Sequence, residues 1–152
     1  MAALTNDAFW QHSLAVYSKP GVAEACLTLQ DRYQVNVNLL LLLHWCNVHQ
    51  YCVDAALIER LKQRVAQTDP AIQRHRQQRR AAKGTDNYEA LKAAELALEA
   101  EQQSALVAEL NQSSDAQAEA GNSDDLVTLL TTWLNLPDTP TTRLLIDAVI
   151  NA

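Results

Sequence analysis

Glycine and proline are scarce in this chain. Its 152 residues include only 3 Gly and 4 Pro, and Gly21, Gly84 and Gly121 stand far apart. A glycine-rich loop that cradles phosphate needs clustered glycines, so that class of site is excluded. The same scarcity leaves few tight turns, which disfavours a β-sandwich or barrel. Cysteine is rare too. Cys26, Cys46 and Cys52 are odd in number and lack a framework spacing, which points to a reducing cytoplasm rather than a disulfide-stapled secreted fold. The longest apolar run, Leu39 to Leu43, is five residues, far below the roughly 20 needed to span a bilayer. Residues 1–7 carry no basic stretch followed by an apolar one, so no secretory signal and no membrane association are expected.

Helix formers are what the chain has in excess. There are 24 Ala and 23 Leu against 14 Ile and Val together, a balance that favours α over β structure. The length suits one domain with a core that needs neither disulfide nor metal. The net charge of −6 disfavours a general nucleic-acid binder. That charge is uneven: residues 59–83 hold eight basic and two acidic side chains, whereas residues 84–152 hold two basic and twelve acidic.

Apolar periodicity and cap residues predict the elements. A first helix runs from Thr5 or Asn6 to about Ser18, with Phe9, Trp10, Leu14 and Tyr17 as its inward stripe. A second runs from Pro20 to about Tyr33 and buries Val22, Ala25, Cys26 and Leu29. Asn36 or Asn38 caps a third, apolar nearly all round and therefore central, so that Trp10, Tyr17, Leu29, Leu40 and Trp45 should share one core. Asp54 caps a fourth, with Leu57, Ile58, Leu61 and Val65 inward. Thr68-Asp69-Pro70 reads as a stop and restart, giving a separate fifth helix from Asp69 to about Lys83 before Gly84. A long helix follows from Asp86 to about Asn111, docking Tyr88, Leu91, Leu98, Ala105 and Leu106 and leaving Glu95, Glu99, Glu101 and Glu109 in water. The expected organisation is a single all-α helical bundle of about six helices over residues 1–110, a polar linker at 111–123 and a C-terminal helical hairpin at 124–152. In the hairpin, Ser123 caps a helix carrying Leu126, Leu129, Leu130, Trp133 and Leu134, and Thr139-Pro140 starts the last one.

Several runs resemble a known family. Phe9-Trp10, Ser13-Leu14-Ala15-Val16-Tyr17, Pro20-Gly21-Val22 with Ala25-Cys26-Leu27, Leu29-Gln30-Asp31-Arg32 and Val37-Asn38-Leu39-Leu40-Leu41 are similar to a proteobacterial family of conserved hypothetical helical proteins bearing a domain-of-unknown-function label. Trp45 and the Arg76, Arg79, Arg80 and Lys83 stretch extend the likeness, which covers about residues 6–110. The resemblance implies a small, helical, cytoplasmic protein and adds no catalytic residues.

Three constellations could carry chemistry. His44, Cys46, His49 and Cys52 are zinc-type ligands, but one helix face rarely supplies three convergent ligands, and a buried Cys beside a satisfied His explains them as well. Cys26 and His12 lie on neighbouring helices and could form a nucleophile pair, although free Cys is usually a small core residue. Asp124-Asp125 reads as helix N-terminal charge.

The basic helix is the strongest candidate. At about 100° per residue, Arg76, Arg79 and Lys83 fall within about 60° of arc on the face of Ile72, with His75 and Arg80 on its flanks. Cations on the face that Ile72 should bury are unusual. They either pair with internal acids such as Asp31 or Asp54, dock an acidic protein partner, or grip phosphates of RNA or a small ligand. Aromatic interleaving is absent from this stretch, which weakens the RNA version. The expectation is a non-catalytic protein–protein interaction module without metal or cofactor, contacting an unknown and possibly acidic protein partner through Arg76, Arg79, Arg80 and Lys83. An RNA- or ribosome-associated factor is the alternative, and an enzyme of unknown type the third.

Overall fold

The computed structural model describes residues 4–51, 53–112 and 126–152. Seven helices and no strand occur among them: α1 (Asn6–Tyr17), α2 (Val22–Tyr33), α3 (Val37–Val48), α4 (Ala55–Ala81), α5 (Tyr88–Gln112), α6 (Leu126–Trp133) and α7 (Pro140–Ile150). The fold is all-α.

Side-chain caps set most of the starts, each satisfying a backbone N–H that the first turn leaves without a partner. Thr5 Oγ1 accepts from Ala8 N–H at 3.0 Å, Asn36 Oδ1 from Leu39 at 2.8 Å and Asp54 Oδ1 from Leu57 at 2.8 Å. Thr139 and Thr142 form a reciprocal capping box in front of α7, with Pro140 in its first turn. Gly21 ahead of α2 and Gly84 in the α4–α5 turn both have positive φ, of 82° and 87°, which glycine adopts without a Cβ penalty.

Helix α3 is the hub. Leu39 through Leu43, His44 and Cys46 are all buried, and the helix touches α1, α2, α4, α5 and α7. Phe9, Leu29, Leu57, Leu61, Leu106, Leu130 and Ile146 complete the same core. Full burial of each such side chain is worth about 1.5–3 kcal/mol. Helix α7 lies on α2 and α3 as well as on α6, and Leu130, Leu136, Val149 and Ile150 join the common core. The side chains of Leu126 and Leu129 lie outside the described residues.

The structure corrects four expectations. First, the break at Thr68-Asp69-Pro70 does not occur: α4 is one helix of 27 residues with Pro70 inside it, about 40 Å long. Proline removes the intrahelical hydrogen bond to the Ala66 carbonyl, and the polar groups beside it make contacts of their own. The Thr68 hydroxyl donates to Arg64 O at 2.9 Å, and the Asp69 carboxylate accepts from Asn36 and Gln73. Packing against α5, the most extensive helix contact among the described residues, carries α4 through the interruption. Second, Glu95 and Glu109 are buried rather than wet, because arginines of α4 meet them across the hairpin. Third, the inward face of α1 is Phe9, Ser13 and Val16. Trp10 is half-buried and Leu14 and Tyr17 are exposed, so Trp10 and Tyr17 leave the core that Leu29, Leu40 and Trp45 share. Fourth, α5 runs through Gln112, so the first two residues of the expected linker are helical. The rest of that linker, Ser123 and Asp124-Asp125 lie outside the described residues. Among the described residues no helix is long and apolar enough to cross a membrane.

Candidate functional site

Helices α4 and α5 run antiparallel on either side of the turn that contains Gly84, so successive residues of α4 meet residues of α5 in reverse order. Arg79 Nε lies 2.6 Å from Glu95 Oε1, and Arg76 Nε lies 3.6 Å from Glu95 Oε2. Arg76 Nη2 also reaches Glu99 Oε1 at 3.5 Å. The side chains of Arg76 and Glu95 are each only 11% exposed. Charge-assisted contacts of this kind are strong where water is excluded. Arg79 is held more firmly in its protonated form by its hydrogen bond to Glu95. Burial pushes the Glu99 carboxyl up, helped by the Glu95 charge and opposed by Arg76. Arg80 points elsewhere, to Asp31 at 3.7 Å, with both side chains more than half exposed. Lys83 is exposed. Of the four cations singled out in the sequence, Arg76 and Arg79 are therefore engaged within the hairpin, and Arg80 and Lys83 stand outside it.

A second set of groups, absent from the sequence analysis as a site, lies further along the hairpin. The Leu39 N–H and the Asp69 carboxylate fix the Asn36 amide, oxygen toward the former and nitrogen toward the latter. Asn36 Nδ2 and Asn38 Nδ2 both donate to Gln102 Oε1, at 3.1 and 2.8 Å. Gln102 Nε2 donates to Thr68 Oγ1 at 2.9 Å. Asn38 Oδ1 is thereby turned to Gln103 Nε2 at 3.0 Å, which also donates to Ser13 Oγ at 3.1 Å. Each orientation dictates the next. Gln103 Oε1 is left buried with no donor among the described residues.

Apart from Thr68, these groups form the polar part of one cleft of about 620 Å³ between α1, α2, α3 and the α4–α5 hairpin. Arg76, Arg79, Arg80, Glu95 and Glu99 line one part of it, and the Asn and Gln amides another. Its apolar lining includes Trp10, Leu14, Tyr17, Leu27, Ile72 and Leu96. Six large hydrophobic side chains are exposed among the described residues, and four of them belong to this cleft: Leu14 at 52%, Leu27 at 46%, Leu96 at 46% and Tyr17 at 36%. Scattered exposed leucines are ordinary, but several gathered at one concavity mark a contact surface.

The other constellations are dispersed. His44 turns to His12, ring nitrogens 2.9 Å apart, while the exposed His49 stacks on Trp45 at 4.5 Å between ring centroids. Cys46 is buried and its thiol is pushed up to about 12. Cys52 lies outside the described residues. No group of three or more His, Cys, Asp or Glu side chains able to hold a metal ion occurs among the described residues. His12 has His44 rather than Cys26 as its partner, and burial pushes the Cys26 thiol up to about 11. A thiol so far from ionisation is a poor nucleophile.

A family model described as a protein of unknown function, DUF2390, matches residues 8–106. No curated protein and no solved structure matches the chain. Every residue that lines the cleft, from Trp10 to Gln103, falls inside the matched stretch, whereas α6 and α7 lie beyond it. With well over half its length matched, the chain belongs to the DUF2390 family of proteins of unknown function.

Proposed function

We propose that the protein is a non-catalytic binding module and that the cleft, rather than a solvent-facing row of cations, is its binding surface. The observation that carries this reading is the convergence of Leu14, Tyr17, Leu27 and Leu96 on one concavity with an ordered polar wall. Its volume falls within the range of about 300–1,000 Å³ that small-molecule sites occupy. The polar wall is suited to binding rather than turnover. Glu95 is clamped between two arginines, and the amides are locked by one another. A wall held in this way offers fixed shape and polarity to an incoming molecule, which lowers the ordering cost of binding.

The test is titration with N-phenylnaphthylamine, a neutral dye that brightens in apolar surroundings. One dye should bind per chain. Leu14→Glu and Leu96→Glu should each weaken it by about tenfold or more, because a carboxylate displaces apolar contact. Leu144→Glu, at an exposed leucine of α7 remote from the cleft lining, should leave it unchanged. Equal binding in all four proteins would remove the cleft as the binding surface.

A further inference from the structure

We propose that the cleft receives a molecule with a hydroxyl on an apolar body, and that Gln103 and Ser13 together hold the hydroxyl. This assignment rests on the cleft being the binding surface and adds the chemistry of its occupant.

The unmet hydrogen-bonding groups of the lining define the head. Among the described residues three buried side-chain polar atoms lack a partner, His44 Nε2, His75 Nδ1 and Gln103 Oε1, and of these three residues Gln103 alone lines the cleft. Turning the Gln103 amide over does not answer it. Its nitrogen donates to Asn38 Oδ1 at 3.0 Å, and a reversed amide would set two acceptors against each other. The same nitrogen donates to Ser13 Oγ at 3.1 Å, and the Ser13 hydroxyl proton has no acceptor among the described residues. The wall thus holds one unmet acceptor and, beside it, one unmet donor, on residues that are 3% and 6% exposed. An acceptor buried without a donor is destabilising. A hydroxyl answers both groups with a single oxygen, giving its proton to Gln103 Oε1 and accepting from Ser13. An ether or carboxylate oxygen has no proton to give Gln103, and an ammonium has no lone pair to accept from Ser13.

The body of the ligand follows from the direction in which the cleft opens. Helices α1 and α5 touch at the Ser13–Gln103 hydrogen bond. Tyr17 stands one turn further along α1, and Glu99 and Leu96 stand one and two turns back along α5; all three line the cleft. Exposure rises in the same direction, to 36% at Tyr17 and 46% at Leu96. The polar pair therefore sits at the closed end, with Leu14, Tyr17 and Leu96 at the mouth. A molecule that enters hydroxyl first lays its apolar body against side chains that water now touches. Its head forms its hydrogen bonds where little water competes for them.

The experiment is calorimetric titration of the full chain with octanol and heptyl methyl ether, isomers that differ in carrying a hydroxyl or an ether oxygen. Burial of apolar surface alone favours the ether, the less polar of the two. Octanol should nevertheless bind with one site per chain and about tenfold more tightly, the equivalent of about 1.4 kcal/mol. Gln103→Met keeps the length of the side chain, removes the acceptor and should abolish that preference. Ser13→Ala removes a donor that either oxygen uses and should weaken both isomers alike; if Gln103→Met does not fold, this variant decides. Leu96→Glu should weaken both as well. Equal affinity of the parent for the two isomers, a preference that survives Gln103→Met, or binding untouched by Ser13→Ala overturns the hydroxyl assignment and leaves the cleft in place. Absence of binding by both isomers, or binding indifferent to Leu96→Glu, removes the cleft and the assignment together.

Discussion

Arg79 Nε donates to Glu95 Oε1 at 2.6 Å across the α4–α5 hairpin, and the same carboxylate offers its other oxygen to Arg76. Glu95 thus bridges two cations and, with Glu99 on Arg76, balances their charge at a place where the face of Ile72 would otherwise carry unbalanced charge into the protein. Arg64 and Glu109 repeat the arrangement nearer the other end, at 3.1 Å. The hairpin is therefore held by ionic contacts at both ends and by the Thr68–Gln102 hydrogen bond between them.

Removing Glu95 should be costly. Glu95→Ala leaves Arg76 and Arg79 facing each other with little water, and a loss of about 3 kcal/mol is expected, in line with other buried pairs broken on one side. Glu59→Gln breaks an ion pair of 3.9 Å with Lys62 on the solvent side and should change stability by no more than about 0.5 kcal/mol. Urea unfolding of both variants checks the contrast. A Glu95→Ala protein as stable as the parent would mean that the arginines find water in its absence.

Pro70→Ala should stabilise. Pro70 sits on the exposed side of a continuous helix, where proline forfeits a hydrogen bond and crowds the preceding turn. Alanine restores the bond, and the greater freedom of the unfolded chain returns only part of the gain. A net increase of about 1 kcal/mol or more is expected, measured by urea unfolding with the helical signal followed in parallel. A decrease would show that α4 needs a proline-imposed bend to follow α5.

Acid should weaken the fold through the histidine pair. Burial, together with the charges of His44, His49 and Lys19, pushes His12 from 6.5 down to about 4. Burial pushes His44 down as well. The folded protein therefore binds these protons less readily than the unfolded chain does. The stabilisation is complete above about pH 6.5 and is lost as pH falls from there toward about pH 4. Unfolding midpoints compared at about pH 7.5 and about pH 5 should differ more in the parent than in His12→Asn. Identical slopes in the two proteins would exclude His12 as a source of the acid sensitivity.

Helix starts were legible because each is written locally. Thr5, Asn36, Asp54 and Thr139 are cap residues placed directly ahead of apolar periodicity, and all four cap as their chemistry requires. The central position of α3 was legible for the same reason, since five consecutive leucines leave no face for water. Pro70 misled because its local preference was outweighed by contacts along the whole of α5. Glu95 and Glu109 misled because a glutamate's exposure depends on what stands opposite. The turn at Gly84 folds α5 back along α4, so Arg79, Arg76, Thr68 and Arg64 meet Glu95, Glu99, Gln102 and Glu109 as α4 is followed backward and α5 forward, but the offset between the two helices is set by their packing. The anomaly of cations on the face of Ile72 was visible in the sequence, and its resolution required the offset between α4 and α5. The cleft was not legible, because its lining comes from five helices and no single segment reveals a concavity. Leu14 looks like an ordinary inward residue until the packing leaves it exposed in the cleft.

The chain of amides from the Leu39 N–H to Gln103 has a sense as well as a shape. Asn36→Asp changes one nitrogen to oxygen and almost no volume. It would set an acceptor against Gln102 Oε1, which could answer only by turning over. Turned over, Gln102 would present a donor to Asn38 Nδ2, and Asn38 could recover a partner only by presenting its own donor to Gln103 Nε2. The error cannot stop where it begins, because every member has a single acceptable direction. A mutation at the head of α3 that conserves size would therefore be felt on α5 as a reversal of polarity, with no change in packing to announce it.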